Sequence, residues 1–181
     1  MRNYHWPETF REIYDRAVAK YRSGTKSAAA LFSDEDKASL ATLGCKPQEL
    51  FDFVEDFVRD NEPSFEIVLL IAAVRREYFL VMQNGVPSEQ LLDMDALPPK
   101  SAELAGIRWL PRVIEKAKAK LRGEMPDDLM YGCGGDRPFL ESVNIEPSEF
   151  LRLVWSAEDD TQKIVDYVIK SRDQNKSGAT V

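Results

Sequence analysis

The chain has 181 residues, 44% of them hydrophobic and 30% charged, an ordinary composition for a globular protein long enough to bury a real core. Its formal net charge of −7 argues against non-specific binding to nucleic acid or an anionic membrane, since both need excess Lys and Arg. Two cysteines with no CxxC pair, and a single histidine at His5, argue against a disulfide framework and a histidine-rich metal site, so no metal and no cofactor is expected.

The first residues, MRNYHWPETF, lack the basic-then-apolar pattern of a signal peptide. Pro7 is placed to open a helix that runs to about Arg22, with Phe10, Ile13, Tyr14, Ala17 and Tyr21 on one face. Ser33 suits the cap of a short helix through Leu43, closed by Gly44. Pro47 then begins a segment carrying Leu50, Phe51, Val54, Phe57 and Val58. After Pro63, Ser64 caps a longer helix to about Gln83, apolar nearly all round and therefore expected at the centre of the domain. Its apolar run, IVLLIAAV at 67–74, is stopped by Arg75, Arg76 and Glu77, well short of a membrane span of roughly 20 residues. No membrane is expected, and the reading is cytoplasmic.

A short helix is expected at 87–93, then a linker at Leu97-Pro98-Pro99-Lys100-Ser101. Helices follow near 107–122, 136–143, 147–155 and 160–172, and the last residues, DQNKSGATV, read as a flexible tail. The fold class is thus all-α.

Sliding the chain by 100 residues aligns its halves without a gap from residue 14 to residue 54, with nine identities in 41 positions. Ala17/Ala117, Ala19/Ala119, Lys20/Lys120 and Arg22/Arg122 coincide, as do Asp36/Asp136, Leu40/Leu140, Pro47/Pro147, Glu49/Glu149 and Val54/Val154. This register implies two tandem degenerate helical repeats of about four helices each, at 1–96 and 97–172, sharing one core ahead of a tail at 173–181.

The stretch YGCGGD at 131–136 is the part of the chain most suggestive of chemistry. Cys133 precedes a helix, where unpaired N–H groups favour a thiolate, and the flanking glycines would let backbone donors approach an anion. Against this, the histidine is far away in sequence and Asp136 puts a negative charge nearby. The first repeat has LFSDED at the same place, so Asp136 has a counterpart in Asp36, whereas Cys133 falls on Ser33. A tight turn with Asp136 in the first helical turn is the simpler account. Cys133 and Asp136 are therefore weak catalytic candidates.

The helix RWLPRVIEKAKAKLRGE carries Arg108, Arg112, Lys116 and Lys120 at i, i+4 spacing. This cationic stripe could receive an acidic partner, a phosphorylated ligand or RNA, but no exposed aromatics interleave with it. A solvated face whose cations pair with neighbouring carboxylates explains it better. Glu158, Asp159 and Asp160 sit where a helix start wants acidic residues.

The segment from Trp109 to Gly123, the Gly-Cys-x-x-Asp loop at 132–136, Phe139-Leu140 and the I-x-P-x-x-F-L segment at 145–151 together resemble a bacterial family of small helical proteins, the DUF5069 domain of unknown function. The resemblance covers roughly residues 97–172, and the family's loop Cys and Asp fall on Cys133 and Asp136. It implies a helical, cytoplasmic, bacterial protein and brings no activity with it. The leading functional expectation is a non-catalytic interaction or ligand-binding module, with a protein partner or small ligand held near Trp109, Arg112, Lys116, Lys120, Tyr131, Cys133 and Asp136. The alternative is a thiol-dependent enzyme or redox sensor using Cys133. A weaker one is RNA or phosphoprotein binding through the 108–122 helix, although nucleic acid is disfavoured by charge.

Overall fold

The computed structural model describes residues 4–178 and is mainly α-helical. It divides into two compact units between Ser88 and Glu89. The boundary lies ahead of the expected 96/97 junction because the intervening segment is tied to the second unit: the Leu92 N–H donates to the Glu124 carbonyl at 2.8 Å. That outward bond also accounts for the absence of the short helix expected at 87–93, which is irregular chain.

The first unit holds α1 (Trp6–Arg22), α2 (Ala28–Leu31), α3 (Asp34–Thr42), α4 (Pro47–Asp60) and α5 (Phe65–Val81). Helix α1 buries Phe10, Ile13, Tyr14, Ala17, Val18 and Tyr21, the face its spacing predicts. Ser33 caps α3 in a reciprocal box. Its Oγ accepts from the Asp36 N–H at 3.1 Å, and Asp36 Oδ2 accepts from the Ser33 N–H at 3.0 Å. Helix α5 starts at its Ser64 cap and buries Val68, Ile71, Ala72, Val74 and Phe79, but Leu70 and Val81 stay exposed, so it is not wrapped on every side. Its buried Arg75 reaches the Gly44 carbonyl at 2.9 Å and Gln83 Oε1 at 2.7 Å.

The second unit opens with a hairpin that the periodicity did not reveal. Strand β1 (Glu103–Leu104) pairs antiparallel with β2 (Ile107–Arg108) through a turn in which Ala105 and Gly106 both have positive φ, 52° and 72°. The following helix therefore begins three residues later than expected, as α6 (Leu110–Arg122), with Trp109 in a left-handed conformation at its N-cap. Helices α7 (Asp136–Ser142), α8 (Pro147–Ala157) and α9 (Thr161–Gly178) follow. Helix α9 continues past Arg172 through residues expected in the tail, and 179–181 lie outside the described residues.

Local bonds recur at the 100-residue spacing. The Cys45 and Ile145 N–H groups donate to the Leu40 and Leu140 carbonyls at 3.1 and 3.0 Å, after left-handed residues at Gly44 and Asn144. The last helix of each unit then reaches back to that residue's carbonyl, Arg75 to Gly44 and Ser171 to Asn144, both at 2.9 Å.

Two stability outcomes follow from this geometry. Gly44 has φ +67°, and a Cβ there would lie 2.6 Å from Phe79 Cγ, whereas at Gly24, φ +113°, it would meet nothing within 4 Å. Gly44→Ala is expected to cost more than Gly24→Ala by about 1–3 kcal/mol, read from urea midpoints at constant slope. Tyr14 is buried and its hydroxyl finds no hydrogen-bond partner among the described residues, and burial pushes its pKa up to about 12. The stability this contributes is full below the ordinary value of 10.0 and lost as pH rises through about 12. Tyr14→Phe is expected to flatten that alkaline loss in pH-dependent unfolding without lowering stability at neutral pH.

Candidate functional site

The chemistry-bearing residues of the second unit converge on Asp136, the first residue of α7, whose side chain is fully buried. Its Oδ1 accepts from the Trp109 indole Nε1–H at 3.0 Å. Its Oδ2 accepts from the Gly132 N–H at 2.9 Å and from the ammonium of Lys116, itself 2% exposed. Gly132 can aim its N–H this way because it sits at φ 77°, a conformation that costs glycine little. The carboxylate is thus held by a cation and two neutral donors, which is what a buried charge requires.

Lys116 carries a second bond. Its Nζ lies 3.3 Å from Cys133 Sγ, and Cys133 is partly exposed. The Cys133 carbonyl accepts the first helical N–H groups of α7, from Asp136 at 2.9 Å and Arg137 at 3.0 Å. Its backbone therefore starts the helix while its sulfur faces the ammonium. Arg137 Nη1 holds the Gly132 carbonyl at 2.9 Å, and the Tyr131 hydroxyl donates to the Pro147 carbonyl at 2.8 Å. Burial, with the Asp136 charge adding to it, pushes the Tyr131 hydroxyl well above its ordinary pKa. The Trp109 ring covers the loop so closely that a Cβ on Gly135 would fall 2.7 Å from Cζ2. The Trp109 ring and the Lys116–Asp136 ion pair thus pack where α6 meets this loop.

The structure thus brings Trp109, Lys116, Tyr131, Cys133 and Asp136 around one loop. The cationic stripe expected along α6 is not one surface. Lys116 and Lys120 are buried, at 2% and 4% exposure, while Arg112 binds the Pro98 carbonyl at 2.8 Å and Arg108 the Lys100 carbonyl at 3.4 Å. Spacing of i, i+4 places side chains on one helix face but does not say whether that face meets water or core. The carboxylates after α8 also have a structural role, with Asp160 Oδ1 accepting the Lys163 N–H at 3.1 Å in the first turn of α9.

The inward turn of Lys116 was the residue role that sequence reasoning missed. A signal was present: both halves hold a cation twenty residues before an aspartate, Arg16 with Asp36 and Lys116 with Asp136. In the first unit Arg16 Nη2 does meet Asp36 Oδ1, at 2.6 Å, but Arg16 is half exposed. Burial raises the Asp36 pKa, yet the Arg16 guanidinium and the Ser33 donors together hold it below its ordinary value.

Residues 97–180 match the family model described as Domain of unknown function (DUF5069). The match bears out the resemblance over the second half, and Trp109, Lys116, Cys133 and Asp136 all fall inside it. No curated protein and no solved structure matches the chain.

The two aspartates should respond differently to neutralisation. Asp136→Asn would leave the Lys116 charge buried without its partner, and an expected loss of about 3–5 kcal/mol follows. Asp36→Asn leaves Arg16 able to turn to water, with an expected loss of about 1 kcal/mol or less. Parallel urea unfolding of the two variants checks the difference, and equal losses would contradict it.

Proposed function

We propose that this chain is a duplicated helical module whose second unit carries a redox-responsive thiol at Cys133, the first unit being a copy without that chemistry. The observation that carries the reading is the bond at 3.3 Å from the buried Lys116 ammonium to the sulfur of Cys133, a partly exposed residue. A cation at that distance and access from solvent are two conditions under which cysteines react. An interaction module with an inert, buried cysteine fits this arrangement less well. The matching bonds at a spacing of 100 residues support the duplication, including the cation–aspartate pairs.

The arrangement supports a thiol that senses or binds reactants more than a hydrolytic enzyme. Asp136 is occupied by Trp109, Gly132 and Lys116, which makes it a positioning group and leaves it poorly placed to act as a base on substrate. In the first unit Ser33 stands in place of Cys133 and its Oγ is engaged in capping α3.

Alkylation of the folded protein with iodoacetamide, followed by mass spectrometry, tests the reading with Cys45 as an internal control. Cys45 is buried, so its modification requires local opening. Cys133 is expected to react at least about tenfold faster at neutral pH. A Cys133 that stays unmodified until the protein unfolds would favour the interaction module instead.

A further inference from the structure

We propose that Lys116 and Cys133 form a site of oxidative covalent modification, in which a hydroperoxide causes Lys116 Nζ to be joined to Cys133 Sγ. The proposal rests on the thiol reading above and adds to it the class of reactant and the second residue consumed.

Three observations point to the pair. The nitrogen and sulfur are already 3.3 Å apart, and the nitrogen is pinned by Asp136. Cys133 is a partly exposed residue, which gives a small oxidant a route towards it, while Lys116 is buried. The second unit has no other cysteine, the chain's remaining one being Cys45 in the first. A sulfenic acid condenses with a second thiol or with a nitrogen, most familiarly a backbone one, and here Lys116 Nζ is the side-chain nitrogen bonded to the sulfur.

The chemistry balances. The sulfur attacks a peroxide oxygen, so an S–O bond forms and the O–O bond breaks. Cysteine becomes sulfenic acid and the hydroperoxide leaves as an alcohol, or as water from hydrogen peroxide. The Lys116 ammonium then passes a proton to the Asp136 carboxylate, and its nitrogen lone pair attacks sulfur. The N–S bond forms, the S–OH bond breaks, and water departs carrying one further proton from nitrogen. The sulfur is oxidised by the peroxide, which is the only oxidant required, and nitrogen changes only its bonding partner. Asp136 ends neutral, which suits a buried carboxyl that has lost its cation. The product staples α6 to the 131–135 loop.

The experiment uses the full chain, reduced and desalted, then treated with an equimolar amount of hydrogen peroxide. Intact mass is expected to fall by two hydrogens, with peptide mapping joining the Lys116 and Cys133 peptides and dithiothreitol restoring the starting mass. Lys116→Arg keeps a cation for Asp136, as Arg16 does for Asp36, and is expected to abolish the link while dimedone labelling of Cys133 rises. Cys133 oxidised to sulfinic acid, or joined to Cys45, with Lys116 unmodified overturns the cross-link and leaves the thiol reading intact. A Cys133 that neither oxidises nor alkylates in the folded chain overturns both.

Discussion

The second unit is organised around one buried charge. Taking an ionised carboxylate such as Asp136 out of water costs several kcal/mol, so its surroundings must offset that cost. The offset comes from three parts of the chain: Trp109 at the start of α6, Lys116 in the middle of that helix, and the Gly132 backbone in the loop. Together these bonds tie the start of α7 to α6 and to the loop. The left-handed turns at Trp109 and Gly132, φ 75° and 77°, are local features consistent with that convergence.

The same local plan is carried out differently in the first unit. There the aspartate binds an arginine that remains half exposed, and it also bonds a serine whose hydroxyl caps the helix. In the second unit cysteine stands at the serine's place, but the residue before α7 is Gly135 and no side chain caps the helix. Its sulfur is left to face Lys116 at 3.3 Å. At the 100-residue spacing, Ser33 and Arg16 of the first unit stand where the second has Cys133 and Lys116. Lysine matters because its amine can act as a nucleophile once it gives up a proton, which guanidinium does not do in proteins.

Much of the architecture was legible because it depends on signals local in sequence. Ser33, Pro47, Ser64 and Pro147 mark helix starts through hydrogen bonds or ring geometry within one turn, and the structure begins helices beside each of them. The hairpin at 103–108 escaped because its strands are two residues long, too short for alternation to register, and its turn is formed by Ala105-Gly106, a weak signal. The segment at 87–93 failed as a helix because its Leu92 N–H is taken by Glu124, a partner no window of that length contains.

The candidate site divides in the same way. Sequence by itself determined that Asp136 begins a helix beside a glycine-rich turn, and that Cys133 lies ahead of it, since these are neighbours along the chain. Only the tertiary structure decided that Lys116 turns inward and reaches both Asp136 and Cys133, while Arg108 on the same spacing stays at the surface. Helical periodicity fixes the angle between side chains around one axis, whereas burial depends on what packs against that axis. For Lys116 that was a loop some seventeen residues away and the start of α7 behind it, and its charge is tolerated there because Asp136 answers it.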